Sequence, residues 1–430
     1  MKHLIHKLLK SQFIRKTMIM ISGTAGSQAI ILLASPFITR LYGPEAFGVL
    51  GVFMAVSAIM IPASVFGYPI AIVLPKEDKE AVALTKISLL LSVAVTSFTL
   101  IIVWAFGEEL LSLFNFAEIN DYIFFIPLVI FFGGLLQIFQ QWSLRLQEFS
   151  VIAKANLYYS FMVQGGIVGI GLFYPVALIL ITMNTLGRFF KIIFLVIGNM
   201  KKRDLKEIYQ GPIPSLKTIA YKYKNFPTYR APEMLISGLS QNIPIVLLSS
   251  MFGPAAAGFF TLGRRVMAAP TTIIGKAVGD VFYPRINQAY HSQENLQHLI
   301  KKSTFFLAIA GFIPFGLVII FGPLFFEFVF GSEWKKAGEY ARWIALAAFF
   351  GFINQPSVKS LPVLSALRFH LVFTIILLLV RVSALFVGSF VFNDDLVAIA
   401  LFSSSGAILN LLLIIMTIKI SGKFNSFSKS

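Results

Sequence analysis

Tyr42–Phe53 reads YGPEAFGVLGVF and Phe252–Gly263 reads FGPAAAGFFTLG, and both follow the pattern aromatic-Gly-Pro-x-Ala-x-Gly at an offset of 210 residues. Proline at the first helical position, with glycine before it, is a turn that opens an apolar helix. A weaker echo links FGEELLSLF (Phe106–Phe114) with FGPLFFEFV (Phe321–Val329) at an offset of 215. One Gly-Pro match is common. Two at nearly one offset, both at equivalent span ends, indicate a chain made of two similar halves.

Composition says where those halves sit. Of 430 residues, 57% are hydrophobic and 13% charged, against about 25% charged in a soluble domain. Mean hydropathy is +0.81, and apolar runs of about twenty residues recur, as membrane-crossing helices require. The expected fold is an all-α polytopic membrane protein. The absence of cysteine excludes disulfides, thiolate metal sites and cysteine nucleophiles. His3, His6, His291, His298 and His370 form no metal-ligand spacing, and no Gly-x-x-x-x-Gly-Lys loop is present to bind nucleotide. No cofactor is expected.

Hydrophobicity divides the chain into about twelve spans. Six lie near 18–39, 46–72, 84–106, 121–141, 152–173 and 176–198, and six near 232–251, 256–279, 303–325, 341–361, 369–391 and 396–418. The predicted organisation is an amphipathic cytoplasmic helix over 1–17, a six-span lobe over 18–198 and a basic cytoplasmic linker over 199–231. A second six-span lobe over 232–418 and a cytoplasmic tail over 419–430 complete it. Equal span counts give both halves one orientation, a parallel repeat about the membrane normal. With residues within two positions of a span end counted with the adjoining loop, 26 of 36 Lys and Arg fall on the side of the termini, six inside spans, and only Arg40, Lys335, Lys336 and Arg342 on the other side. The positive-inside rule therefore predicts cytoplasmic termini. The net charge of +17 is mostly this topological signal, so nucleic-acid binding is not needed to explain it. The linker's basic cluster faces anionic membrane lipids.

The segment SGTAGSQAIILLASPFITRLYGPEAFGVLGVF behind a basic N-terminal helix, the returning Gly-Pro element, twelve spans and a basic central loop resemble a bacterial polysaccharide or oligosaccharide flippase of the Wzx type. That family belongs to the multidrug/oligosaccharidyl-lipid/polysaccharide exporter superfamily. The resemblance spans nearly the whole chain, with ITRLYGPEAFG its most specific part. It implies two six-helix lobes in the bacterial inner membrane, moving undecaprenyl-pyrophosphate-linked glycan units outward, with a glycan polymerase of the same pathway as a candidate partner. It implies transport and not enzymatic activity.

Charges inside the spans mark the candidate site, because a central Arg or Lys costs roughly 2.5–3.5 kcal/mol on insertion scales and must face a cavity or a partner. In span eight, TLGRRVMAAPTTIIGKAVGD (Thr261–Asp280) carries Arg264 and Arg265 near mid-membrane, with no acid within a turn. Lys276 shares a face with Arg265, and Asp280 lies one turn beyond it. In span six, Asn184, Arg188 and Lys191 form one polar stripe, Lys191 being near enough to the end to snorkel. Arg381 stands alone in span eleven, where backbone carbonyls of a neighbouring helix are its alternative to a lumen. Asp280 and Glu233 are the carboxylates available for coupling or pairing, Glu233 lying three residues from Arg230. Gly165–Gly171 (GGIVGIG) has Gly-x-x-x-Gly spacing, which predicts close helix packing. A cation-rich interior suits an anionic pyrophosphate, since Arg–phosphate hydrogen bonds are strong and directional. The competing readings are a multidrug or small-metabolite antiporter, which buried carboxylates would favour, a membrane glycan polymerase, which needs a larger outer loop, and a static lipid-binding scaffold. Gln140, Gln141 and Trp142 read better as interfacial anchors than as sugar contacts.

Overall fold

The computed structural model describes residues 12–113, 117–200, 213–271, 282, 285–290, 292–364 and 366–427. Helix is the only regular structure among them. The first helices are α1 (Gln12–Leu41), α2 (Pro44–Ser64), α3 (Tyr68–Ala71), α4 (Asp78–Leu113), α5 (Phe125–Arg145), α6 (Phe149–Gly171), α7 (Ala177–Met200), α8 (Leu216–Lys222) and α9 (Ala231–Phe252). They are followed by α10 (Pro254–Pro270), α11 (Leu296–Phe330), α12 (Lys335–Ile353), α13 (Gln355–Ser360), α14 (Leu367–Phe390) and α15 (Asp395–Phe427).

Each expected span overlaps a helix. Nine helices among the described residues are long and apolar enough to cross a membrane, and the chain is a multi-pass membrane protein. The other three are α6, α10 and α12. Helix α6 is diluted by Lys154, Asn156 and Gln164, and α12 carries Lys335, Lys336, Glu339 and Arg342. The described part of α10 is 17 residues long and holds the Arg264–Arg265 pair. Helix α15 runs to Phe427, past the expected end of its span at 418.

Both Gly-Pro elements open helices. Pro44 starts α2 after Gly43, and Pro254 starts α10 after Gly253. Gly253 has φ 87°, a conformation that side chains resist, whereas Gly43 at φ −67° does not need to be glycine for its backbone alone. The described part of the weaker echo, Phe106–Leu113 and Phe321–Val329, falls within the two longest helices, α4 with 36 residues and α11 with 35. Phe106 breaks the helical geometry of α4 at φ −131°, while Phe321–Pro323 lies inside α11.

The chain forms two compact units, Met1–Ser250 and Met251–Ser430. In the first, α1 packs along α6. Ser27 and Ser160 hydrogen-bond across this seam, and the buried Tyr42 hydroxyl donates to the Ile167 carbonyl at 2.9 Å. Gly166 and Gly171 accept neighbouring side chains, Met183 and Tyr42. The Gly165–Gly169 pair, which has the spacing expected to pack, instead faces open space.

One base of this unit is tied by Arg145, at the end of α5. Its guanidinium donates to Asp78 Oδ1 at 3.0 and 2.7 Å, to the Ile72 carbonyl at 3.0 Å and to the Pro75 carbonyl at 2.7 Å. The described part of the basic linker docks on the same base. Ile219 of α8 is buried in a cluster with Tyr68, Ile72 and Leu84, Tyr68 Oη donates to the Ala220 carbonyl at 3.2 Å, and Lys222 pairs with Glu80 at 2.6 Å. Gly67, at φ 70°, passes beside the Phe226 carbonyl and the Ala231 amide, so the turn after α2 lies against the start of α9.

In the second unit, α11 and α12 approach to backbone contact at Gly322 and Gly338, and Phe259 of α10 makes edge contacts with Trp334 and Tyr340. Arg285 binds both carboxylate oxygens of Glu294, at 3.1 and 2.5 Å, and these hydrogen bonds hold the Glu294 carboxyl below its usual range.

Replacing Arg145 with Ala strips donors from two carbonyls and a carboxylate at once, a loss of about 3 kcal/mol. The thermal midpoint of the detergent-solubilised protein should fall several degrees. Lys222→Ala, which removes only a solvent-screened pair, should shift it far less.

Candidate cationic site

Each unit holds half-buried cations against its helices. In the first, Arg188 projects from α7 between α5 and α2. Its guanidinium donates to the Val129 carbonyl at 3.4 Å and approaches Met54 Sδ at 3.6 Å. Lys191, one turn along the same face, sits over the Tyr159 ring of α6 at 5.3 Å and within electrostatic range of Arg188. Lys191 is therefore seated on an aromatic face. Asn184 turns back to the Leu180 carbonyl of its own helix at 2.7 Å, so the sequence stripe narrows to its two cations. Gly187 makes room for the Tyr159 ring that Lys191 covers.

In the second unit, Arg381 of α14 lies over the Phe402 ring of α15, with Cζ 3.9 Å from the centroid. Its Nε is buried without a hydrogen-bond partner. It fits because Gly406 has no side chain: a Cβ there would stand 3.1 Å from Nε. A ring face, and not a backbone carbonyl, is the contact that seats this arginine. Arg264 is within electrostatic range of Arg381, and Arg264 and Arg265 are both half-buried on α10. A like charge beside Arg381 raises the cost of holding it there.

The two clusters resemble one another. Asn184, Gly187 and Lys191 on α7 match Ser403, Gly406 and Asn410 on α15 at an offset of 219 residues. In both, a glycine lets a side chain of the preceding long helix close in, and a cation lies on a ring. The partners are exchanged: the helix with the glycine, α7, supplies the cation in the first cluster, whereas its counterpart α15 supplies the ring in the second. A seam of small polar groups continues on α15, where Asn354 Nδ2 donates to Asn410 Oδ1 at 2.9 Å and Asn410 Nδ2 to the Gly406 carbonyl at 2.8 Å.

Of the other sequence candidates, Lys276 and Asp280 lie outside the described residues. Glu233 accepts from Arg230 Nη1 through both oxygens, at 2.8 and 2.7 Å, in an exposed local pair. Arg40 is exposed at the end of α1. Tyr159, Phe402 and Gly406 were not singled out from sequence. Their signal is spacing alone, and one Phe among 45 is not conspicuous.

Among the described residues, no group of three or more His, Cys, Asp or Glu is placed to hold a metal ion. The chemistry available is that of fixed positive charge in an apolar setting, which can bind an anion by hydrogen bonds and Coulomb attraction. Phe402→Leu should lower the thermal midpoint by removing a cation–π contact worth about 1–2 kcal/mol when desolvated. Phe402→Tyr should retain most of it, as differential scanning fluorimetry in detergent will show.

The family described as polysaccharide biosynthesis protein matches residues 37–339. The teichuronic acid biosynthesis protein TuaB of Bacillus subtilis (strain 168) is 22% identical over 134 residues, 31% of this chain and 28% of that protein. The chain thus aligns with less than a third of that relative's length. Among solved structures, lipid II flippase MurJ in an inward closed conformation is similar with TM-score 0.73 and 13% identity, covering 94% of this chain and 87% of that one. An inward-facing multidrug resistance MATE family transporter of the MOP superfamily gives 0.72 and 13%, covering 92% and 95%. At this identity the likeness establishes a shared fold.

Proposed function

The chain belongs to the polysaccharide biosynthesis protein family, and from that premise we propose that it is a flippase for an undecaprenyl-pyrophosphate-linked oligosaccharide. Its cargo would be a repeat unit of O-antigen, capsule or exopolysaccharide, carried across the bacterial inner membrane by alternating access, with both termini cytoplasmic. It acts as a carrier and not as an enzyme. The observation that carries this reading is the pair of half-buried cation clusters. Arg188, Lys191 and Arg381 are held by a carbonyl, a thioether and two ring faces, and among the described residues these contacts include no carboxylate.

Such contacts hold a cation in place without neutralising it, so its charge stays available to a diphosphate. Arg264 adds a further cation beside Arg381. The diphosphate moves past the basic residues while the polyprenyl chain stays in lipid. Buried carboxylates would favour a cationic-drug antiporter, and Glu233 is instead an exposed one, in a local pair with Arg230. The division into a six-span lobe, a basic linker and a second six-span lobe, Lys276 as a further substrate-binding cation, Asp280 as a coupling or pairing carboxylate, and a polymerase partner belong to the same proposal.

The test replaces Arg188, Arg264 and Arg381 singly with Ala and with Lys in a strain lacking the native gene, with membrane levels verified. Each Ala variant should reduce surface glycan about 10- to 100-fold, the worth of a charge-assisted hydrogen bond or two, and leave lipid-linked units on the cytoplasmic leaflet. The Lys variants should recover part of the loss. Undiminished glycan in all three Ala variants overturns the cationic path.

A further inference from the structure

Helix α9 presents three different faces. Gly238 lies against the backbone of Ala58 and Ile59 in α2, and on the same side Asn242, Ile245 and Leu248 are buried. Ile236 and Leu239 are exposed on a second, apolar sector. Glu233, Ser237 and Gln241 recur every four residues on a third, and all three are exposed. At about 100° per residue this polar sector is centred about 130° from the apolar one. Gln241 Nε2 donates to Ser237 Oγ at 3.0 Å, and Glu233 is held one turn away by Arg230, so the sector is a ladder of polar groups on one side of the helix.

The ladder lies inside a membrane span. The apolar segment is Phe226–Phe252, 27 residues long, and Gln241 is near its middle. Exposed polar groups at that depth are costly against lipid, and in membrane helices they face water or a ligand. Helix α11 shows the contrast: its exposed side chains include Phe305, Ile309, Phe312, Ile313, Leu317 and Leu324, a lipid face without polar interruption.

We propose that Glu233, Ser237 and Gln241 form the surface that reads the sugar of the cargo, a neutral hydroxyl- and amide-bearing glycan. The inference rests on the flippase reading above and assigns a separate residue set within it. A carboxylate, a hydroxyl and a carboxamide supply acceptors and donors in the mixture that sugar hydroxyls and N-acetyl groups require. They bring no net positive charge and so add nothing to recognition of phosphate. The diphosphate is bound by the arginines; the glycan is distinguished along α9.

Two measurements test this. The chain has no cysteine, so single cysteines can be introduced into the unaltered protein in membrane vesicles. Ser237→Cys and Gln241→Cys should react with a charged, membrane-impermeant methanethiosulfonate at least about tenfold faster than Ile236→Cys and Leu239→Cys. Equal protection of all four places the ladder in lipid and overturns the proposal. Binding is then measured in nanodiscs with undecaprenyl diphosphate, bare or bearing one N-acetylhexosamine. Ser237→Ala and Gln241→Leu should each weaken the glycosylated lipid about 5- to 10-fold, the scale of one lost hydrogen bond, and leave the bare lipid unchanged. Arg188→Ala should weaken both. Unchanged binding of the glycosylated lipid, or equal loss for both lipids in the α9 variants, overturns the sugar assignment while the flippase reading stands. Failure of the wild-type protein to bind either lipid removes both.

Discussion

A guanidinium or ammonium set among apolar helices must have a contact that offsets its lost hydration. This chain meets that demand with soft partners. Arg188 has a carbonyl and a thioether, Lys191 a tyrosine face and Arg381 a phenylalanine face. The packing around these residues follows from the demand. Gly187 and Gly406 thin the last helix of each cluster at the level of the cation, and the neighbouring helix closes in until ring and charge touch. A carboxylate would hold each cation more tightly, and among the described residues these contacts include none.

The exchange of ring and cation between α7 and α15 sets the two clusters apart. The Gly-Pro openings of α2 and α10 and the similar lengths of α4 and α11 recur in the two units. The charges do not follow that likeness. At the offset of the Gly-Pro elements, Met54 corresponds to Arg264, and Met54 is the thioether that Arg188 reaches.

Much of this was legible in sequence, for reasons that particular residues make plain. Apolar runs found every long helix, because exclusion of water from the backbone leaves helix as the available local solution. Arg188, Lys191 and Arg381 were visible because a charge inside such a run is anomalous. Their partners were not. Phe402 and Tyr159 are unremarkable among so many aromatics, and only the crossing of two helices selects them. The Gly165–Gly169 spacing pointed to packing and the wrong pair of glycines, since Gly166 and Gly171 make the contacts. Periodicity identifies a face of a helix; it does not say which neighbour arrives there. Ser237 and Gln241 escaped for another reason: neutral polar residues hardly lower the hydropathy of a 27-residue span.

Helices α6, α10 and α12, the three that fall short as independent spans, occupy equivalent places in the chain. Each follows a strongly apolar helix through a short turn: residues 146–148 after α5, Gly253 after α9 and residues 331–334 after α11. A segment too polar to leave the translocation channel for lipid on its own can do so as the second arm of a hairpin whose first arm is already committed. The turns thus have a role during synthesis that the finished fold conceals. They keep each charged or diluted helix within reach of a partner at the moment it must choose between water and membrane, as α10 must with Arg264 and Arg265 half-buried along it.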